Sequence, residues 1–164
     1  MKEEAHLSFA ERSAIDAVRI RVATVRDLNA IMNIESLSFS TPWSRQAMAQ
    51  EIETRDWSRV AVATVKQEIV GFMVYWVVVD ELHLLNLAVH PKRRRRGIGR
   101  AMVRHLVELA KDNYLTTLFL EVRVSNQSAQ KLYWEFGFKP VAVRQNYYSD
   151  DGEDAIVMCL RRNQ

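Results

Sequence analysis

Four consecutive arginines run directly into two glycines in the segment 92–102, KRRRRGIGRAM. Because glycine has no Cβ, the backbone at Gly97 and Gly99 can turn tightly and approach a ligand closely. If a helix begins at this point, its first free N–H groups and its dipole favour a bound anion. The residue types and their spacing therefore predict a loop that binds a pyrophosphate. The cations expected around that group are Arg95, Arg96 and Arg100.

The spacing of these glycines excludes two common phosphate-binding loops. It matches neither the GxxxxGK[ST] pattern of nucleoside triphosphatases nor the GxGxxG pattern of dinucleotide-binding folds. The segment instead contains Arg94-x-x-Gly97-x-Gly99, and it follows the strand-like run NLAVHP. We therefore expect an anion site of a different class.

A carboxylate in an alternating segment is a candidate for proton transfer. Leu118, Leu120 and Val122 recur at every second position, which places Glu121 on the opposite face of a predicted strand. Partial burial there would raise its affinity for a proton and suit it to act as a general base. The alternative is a carboxylate on a solvated strand face or in an ion pair with Arg123.

Hydrophobic periodicity and capping residues predict the elements that position these groups. The predicted order is a strand at 18–23, helices from Thr24 to about 39 and from Ser44 to about 54, strands at 59–65, 69–79 and 82–89, a helix at 97–111, a strand at 118–124, a helix at 126–136, and strands at 139–145 and 154–160. This order predicts an α/β fold with a mixed central sheet flanked by helices. The arginine run then lies between a strand and a helix. Residues 1–17 are an N-terminal extension to which we assign no role, and residues 18–164 form a single domain.

Composition narrows the class of protein. The chain of 164 residues has 23 basic and 20 acidic side chains, so its basic character is local and does not indicate general binding to nucleic acid. The single cysteine cannot form an internal disulfide, and no Cys/His spacing predicts a metal site. The longest apolar run, 69–79, is too short to span a membrane, and the N-terminus lacks the apolar segment of a signal peptide. We expect a cytoplasmic protein without membrane association.

The glycine-containing pattern resembles the acetyl-coenzyme A signature of the GCN5-related N-acetyltransferase (GNAT) family, [QR]-x-x-G-x-[GA]. Arg94 stands where glutamine is usual, and the resemblance extends from about Val18 to Leu160 with the element order of that family. The segments STPWS, NLAVHP, RRRRGIGRAMV, LEVRVSNQSAQKLYWEFGF and NYYSDDGEDAIVM are similar to the RimI-type branch. That branch acetylates the N-terminal alanine of a small-subunit ribosomal protein. The resemblance implies the GNAT fold, acetyl-CoA as cosubstrate and a reaction through a ternary complex.

The resemblance also implies contacts with the cofactor. A strand that splays from its neighbour would leave backbone groups free for the pantetheine arm and for the thioester carbonyl. Asn126 has an independent interpretation as the cap of the following helix, and both roles are compatible. The implied cofactor-binding residues are Leu87, Ala88, Val89, Arg94, Arg95, Arg96, Gly97, Ile98, Gly99, Arg100 and Asn126.

The two catalytic residues implied are Glu121 as base and Tyr133 as acid. A tyrosine loses its proton near pH 10, above the value of about 8.5 for a thiol, so a phenol can protonate a leaving thiolate at neutral pH. Tyr133 also lies in a predicted apolar helix stripe, and packing in the core is its alternative role.

Acceptor binding is implied for aromatic residues in two loops, Trp43 and the pair Tyr147 and Tyr148, whose alternative role is packing. Glu81, at the start of the strand before the arginine run, is a further candidate for orienting the amine, with an exposed turn as the alternative. Two other functions stay open. One is an acetyl-CoA-dependent lysine or small-amine acetyltransferase, and the other is a basic module that binds nucleic acid or the ribosome.

Overall fold

The computed structural model describes residues 17–162, so the predicted N-terminal extension lies outside the described residues except for its last position. The described elements are β1 (Val18–Val22), α1 (Leu28–Ser38), α2 (Arg45–Glu53), β2 (Ser58–Val65), β3 (Glu68–Val78), β4 (Glu81–Val89), α3 (Ile98–Asp112), β5 (Thr117–Arg123), α4 (Gln127–Glu135), β6 (Lys139–Arg144) and β7 (Ala155–Arg161). Short 3-10 turns at Val25–Asp27 and Pro91–Arg93 precede α1 and the arginine run. The predicted element order is confirmed. Several boundaries differ: α1 begins only at Leu28, after the 3-10 turn that follows Thr24, and Val124 lies beyond the end of β5 and is exposed.

The seven strands form one sheet in the order β1-β2-β3-β4-β5-β7-β6. Only β4 and β5 are parallel, and every other neighbouring pair is antiparallel, so the sheet is mixed as predicted. The β2–β3 hairpin closes through Lys66 and Gln67, which both have positive φ. Two successive residues with positive φ suit the right-handed twist of the flanking strands.

Each face of the sheet carries one hydrophobic core. On one face α1 and α2 bury Ile31, Ile34, Met48 and Ile52 against the central strands. On the other face α3 and α4 pack against a second cluster, whose buried members include Met102, Leu106, Leu118, Leu120 and Tyr133. No helix among residues 17–162 is long and apolar enough to span a bilayer.

A bulge in β4 divides that strand into two parts. Asn86 pairs with Val74 and Leu84 pairs with Tyr75, so Leu85 is an extra residue on β4. An extra residue reverses which side chains face each side of the sheet. Leu84 accordingly lies in the α3/α4 core, whereas after the bulge Ala88 lies in the α1/α2 core.

The parallel pairing between β4 and β5 ends at the same place. The last paired residues are Leu84 and Leu120, and both strands continue beyond them without pairing to each other. β5 keeps its pairing with β7 on its other side as far as Arg123. An opening between the second half of β4 and the end of β5 results.

Candidate active site

The backbone of β4 presents hydrogen-bonding groups to this opening. The His90 N–H donates to the Val70 carbonyl on β3 at 2.8 Å, so the preceding carbonyl, of Val89, faces away from β3. By the alternation of an antiparallel ladder, Leu87 has the same orientation as Val89. Ala88 was expected to offer free backbone groups to the cofactor, but its backbone groups pair with β3. Its side chain is buried in the α1/α2 core.

The start of α3 lies beside the opening and offers three free donors. Gly97 is the N-cap, with φ 77° and ψ 5°, a left-handed conformation that glycine adopts without strain. Ala101 is the first residue whose N–H bonds back into the helix, to the Gly97 carbonyl at 3.0 Å. The N–H groups of the three residues at 98–100 therefore have no acceptor within the helix. No side chain caps them, so they are available to an anion.

Two glycines near this helix start differ in the space around them. A Cβ on Gly99 would lie 3.7 Å from Leu132 and 3.9 Å from Val89, which are ordinary contacts. A Cβ on Gly71 would lie 2.9 Å from the Ala88 carbonyl oxygen and 3.1 Å from the sulfur of Met102, which is too close. Gly71 thus lets α3 approach β3. Sequence reasoning missed it, although a glycine inside a run of strand-forming residues is a signal of close approach.

Most arginine side chains around this helix start contact other residues of the protein, whereas the sequence predicted that they would surround a bound pyrophosphate. Arg96 is exposed and makes no hydrogen bond or ion pair within residues 17–162, whereas its neighbours are engaged. The partners are the Val89 carbonyl (3.1 Å) and the Ser38 hydroxyl (3.2 Å) for Arg94, the Ser128 hydroxyl (3.5 Å) for Arg95, and Glu135 for Arg100. Their predicted contacts with a cofactor stay predictions. The observed contacts tie the loop to β4, α1 and α4.

Glu121 lies one residue beyond the last β4–β5 pair, at the point where the two strands separate. It is on the strand face opposite Leu120 and Val122, and its side chain is 23% exposed. Its Oε1 atom lies 3.4 Å from Nε of Arg144, so the ion-pair partner is Arg144 and not Arg123, the alternative considered from the sequence.

Tyr133 packs in the core as its alternative role predicted, and its catalytic role stays a prediction. The side chain is buried in the α3/α4 core, and its ring meets that of Phe138 edge-on, with centroids 5.8 Å apart. No residue in 17–162 hydrogen-bonds its hydroxyl, and no buried polar side-chain atom in that part of the chain lacks a partner, so the oxygen reaches the surface. Burial, with a smaller contribution from Tyr148, raises the pKa of Tyr133 to about 12. The phenol is therefore protonated at neutral pH.

Tyr147 and Tyr148 lie in the loop between β6 and β7, close to both proposed catalytic residues. Their rings pack edge to face, with centroids 5.1 Å apart. Burial first, and then the charge of Glu121, raises the pKa of Tyr147. Burial raises the pKa of Tyr148 to about 12 against the opposing effect of Arg123. The structure thus brings together Glu121, Tyr133 and both loop tyrosines.

Trp43 lies in the loop between α1 and α2, and its half-buried ring packs against the α1/α2 core. In the same loop, the Ser40 hydroxyl donates a hydrogen bond to Asp150 in the β6–β7 loop. The two loops predicted to border the acceptor are therefore joined directly.

Glu81 is not part of this cluster. It pairs with Thr117 at the start of β4, four residues before the level of Glu121. Its carboxylate contacts His83 Nε2 at 2.8 Å, and its side chain is 43% exposed. Since strands rise about 3.3 Å per residue, a role in orienting the amine is not supported by this position.

Asn126 caps α4, as expected from the sequence. Its Oδ1 accepts a hydrogen bond from the Ala129 N–H at 3.1 Å. This bond satisfies one of the free donors at the helix start. Contact between Asn126 and a cofactor stays a prediction.

Glu35 is a buried carboxylate that sequence reasoning missed. It is 1% exposed, and its two oxygens accept hydrogen bonds from the Trp43 N–H and the Asn86 amide, each at 2.9 Å. Burial raises its pKa, and these two hydrogen bonds oppose the increase. The available signal was its position seven residues after Leu28, within the apolar stripe of α1. Glu35 connects the loop that carries Trp43 to the part of β4 that follows the bulge.

Comparison with known proteins identifies the family. The sequence model of the Acetyltransferase (GNAT) family matches residues 28–138. The chain belongs to the GNAT family. It is 38% identical over 136 residues to the [ribosomal protein bS18]-alanine N-acetyltransferase of Escherichia coli K12, with 82% of this chain and 90% of that protein covered. It is 36% identical over 143 residues to the Salmonella typhimurium enzyme of the same name, with coverage of 86% and 95%.

A solved structure confirms the GNAT fold. The crystal structure of the ribosomal-protein-S18-alanine N-acetyltransferase from Escherichia coli superposes with a TM-score of 0.83 at 35% identity. The match covers 90% of this GNAT chain and 95% of that one. The resemblance inferred from the sequence motifs is confirmed.

Proposed function

We propose that this protein transfers an acetyl group from acetyl-CoA to the N-terminal α-amino group of a protein, namely the N-terminal alanine of a small-subunit ribosomal protein. The observation that carries the proposal is the position of Glu121 where β4 and β5 separate, with Tyr148 near both Glu121 and Tyr133 and with the free N–H groups of α3 following β4. Two enzymes similar to this chain, from Escherichia coli and Salmonella typhimurium, are named for acetylation of the alanine of ribosomal protein bS18. We propose the cytoplasm as its location, where a ribosomal substrate would be met.

The residues around the opening fit acetyl-CoA. The free N–H groups at 98–100 and the charge of Arg96 suit a pyrophosphate, and the unpaired backbone of Leu87 and Val89 suits an amide-containing arm. The Val89 carbonyl already accepts a hydrogen bond from Arg94, so this arm would use the remaining groups. When bound, acetyl-CoA supplies a thioester whose carbonyl carbon accepts the amine nitrogen.

Glu121 is proposed to take the proton from the amine. Its carboxylate is partly exposed and lies at the opening, so it can reach the amine directly or through water. This transfer leaves the amine nitrogen neutral at the moment of attack.

Tyr133 is proposed to stabilise the departing sulfur through its hydroxyl. A phenol with a pKa of about 12 is about 3.5 pH units less acidic than an ordinary thiol, so complete transfer is uphill by about 5 kcal/mol. Tyr133 therefore acts chiefly by donating a hydrogen bond to the sulfur as negative charge develops there. Tyr133 keeps its own proton, and the departing thiolate takes the proton that the nitrogen loses as the amide bond forms.

The choice of an α-amine agrees with the modest base that the site offers. An α-amino group has a pKa of about 7.7–8.0 and a lysine about 10.4, so at pH 7.5 roughly a quarter to two fifths of N-termini are neutral but only about one lysine in a thousand. Glu121 is the carboxylate proposed as the base, and Nε of Arg144 lies 3.4 Å from it. An N-terminal amine therefore depends less than a lysine on proton removal by Glu121.

Two peptides test the assignment. One begins with alanine and has a free N-terminus, and the other has the same sequence with a blocked N-terminus and a single lysine. We expect mass spectrometry to show one added acetyl group on the first and little on the second. Equal or greater acetylation of the blocked peptide would favour the lysine or small-amine alternative and overturn the N-terminal assignment.

The contacts of the arginine run argue against a nucleic-acid-binding module. Arg93 and Arg100 form ion pairs with Glu68 and Glu135, and Arg94 donates to the protein backbone. Charges neutralised within the protein contribute little to binding a polyanion. We therefore propose that the loop serves a single small anion and that nucleic acid is not a direct partner.

A further inference from the structure

One guanidinium on the catalytic strand holds the loop that carries the two tyrosines. We propose that Arg123 is a positioning residue for the acceptor, because it fixes the β6–β7 loop, and Tyr148 in particular, beside Glu121 and Tyr133. This inference rests on the proposed function. Arg123 itself touches no reacting atom in the proposal. It acts through Tyr148.

Arg123 lies two residues after Glu121, on the same face of β5. Its NH2 atom lies 2.8 Å from both carboxylate oxygens of Asp150. Its NH1 atom lies 3.0 Å from Asp151 Oδ1 and 3.1 Å from Glu153 Oε1. A planar guanidinium can bind several oxygens in fixed directions, which an ammonium group cannot.

The charge balance makes the loop dependent on this arginine. Three carboxylates converge on one cation, and the side chains of Arg123, Asp150 and Glu153 are only 27%, 16% and 21% exposed. Like charges that are partly shielded from water repel one another more strongly than exposed ones. Loss of the guanidinium would leave the carboxylates to separate, and the loop would move with them.

Tyr148 is connected to the same group in two ways. The guanidinium carbon lies 3.9 Å from the centroid of its ring, a cation–π contact. Its backbone N–H donates to the Glu153 carbonyl at 3.1 Å, and its carbonyl accepts from the Gly152 N–H at 2.8 Å. Both the ring and the backbone of Tyr148 therefore depend on the turn that Arg123 holds.

The contacts of Arg123 extend to both sides of the proposed acceptor site. Asp150 accepts a hydrogen bond from Ser40, in the loop that carries Trp43. Glu153 accepts from the Ser125 N–H at 2.6 Å and the Ser125 hydroxyl at 2.9 Å, just before α4 begins. One arginine thus connects the acceptor loops to the helix that carries Tyr133.

Steady-state kinetics of Arg123→Gln and Arg123→Lys test this role, with the alanine peptide and acetyl-CoA varied separately. We expect the KM for the peptide to rise roughly 10- to 100-fold in Arg123→Gln and by less in Arg123→Lys, which keeps the charge but loses the planar contacts. We expect the affinity for acetyl-CoA, measured by calorimetry, to stay within about twofold. A merely structural role would weaken both substrates together.

Arg21→Gln is the matched control. Arg21 makes an equivalent two-bond contact with Asp27 at 2.8 and 2.9 Å, on the edge strand β1 and outside the proposed site. We expect this variant to lower the melting temperature without changing the KM for the peptide. The same change in KM in both variants would overturn a specific role for Arg123.

Hydrogen exchange of residues 146–153 provides a second measurement that does not need activity. We expect faster exchange of this loop in both Arg123 variants and no change in the Arg21 variant. Unchanged exchange, or faster exchange with an unchanged KM for the peptide, would overturn the inference. If the wild-type protein does not acetylate the alanine peptide, the proposed function fails, whereas the exchange rates still decide whether Arg123 holds the loop.

Discussion

Nε of Arg144 lies 3.4 Å from Oε1 of Glu121, although the two residues are on strands separated by β7. Arg144 and Arg123 both pair with Ala155 of β7, one from each side. Paired residues point to the same face of a sheet, so a methyl group lies between two arginines on the face that carries Glu121. Edge strand β6 thereby contributes to a site at the centre of the sheet.

Glu121→Gln removes the proposed base and keeps the shape of the side chain. We expect kcat at neutral pH to fall by about 10²–10⁴-fold, the usual contribution of a proton-transfer group. The loss should be smaller at high pH, where the amine is already neutral. Measurements of kcat with the alanine peptide at several pH values would test both effects. Turnover close to wild type at pH 7 would exclude Glu121 as the base.

Tyr133→Phe removes one hydroxyl and preserves packing in the core. We expect a fall in kcat of about 10²–10⁴-fold with unchanged affinity for acetyl-CoA. Because the pKa of Tyr133 is raised to about 12, the wild-type kcat should not decline between about pH 8 and pH 10. A descending limb near pH 9 that the Phe variant lacks would contradict the raised pKa. An unaffected kcat in Tyr133→Phe would exclude a role for this hydroxyl at the departing sulfur.

The two glycines at the start of α3 should respond differently to substitution. A Cβ at Gly99 meets only ordinary contacts, so Gly99→Ala should fold as well as the wild type. Gly99→Val adds two methyl groups where a Cβ already contacts Leu132 and Val89, which would displace the free N–H groups of the helix start, and we expect acetyl-CoA binding to be abolished in a folded protein. Gly97→Ala should cost about 1–2 kcal/mol of stability because φ is 77°. Calorimetry measures acetyl-CoA binding and thermal melts measure stability. Unchanged affinity for acetyl-CoA in folded Gly99→Val would refute the proposed pyrophosphate site at the start of α3.

Glu35→Ala should destabilise the protein by about 2–5 kcal/mol, because it leaves the Trp43 N–H and the Asn86 amide without a partner. Glu35→Gln can still bond both groups if the Asn86 amide rotates, and its cost should be less than about 1 kcal/mol. Denaturant unfolding at pH 7 measures both. A small effect in Glu35→Ala would show that water replaces the carboxylate.

The pH dependence of stability gives a separate test of Glu35. Burial raises its pKa above the ordinary value of 4.5, so the folded state binds this proton more tightly than the unfolded state. Its contribution to stability is therefore complete below pH 4.5 and is lost as the pH rises through the folded-state pKa. Relative to Glu35→Gln, the wild type should lose stability over that window. An increase in relative stability with pH would contradict the direction of the shift.

The local elements follow from the sequence because their signals are local. Alternation of Leu118, Leu120 and Val122 predicts β5, and caps at Ser44 and Asn126 predict the starts of two helices, all of which are observed. Apolar periodicity and side-chain caps depend on residues within one or two turns, so they are readable without tertiary contacts. The same holds for the glycine pattern at the start of α3.

Only the tertiary structure decided which groups meet at the site. The extra residue Leu85 and the end of β4–β5 pairing set the position of the opening, and a register shift leaves no local signal in either strand. The pairing of Glu121 with Arg144 spans 23 residues of sequence and a third strand. The placement of Glu81 away from the site has the same cause. Contacts between distant segments depend on strand order and register, and neither is a property of any single segment.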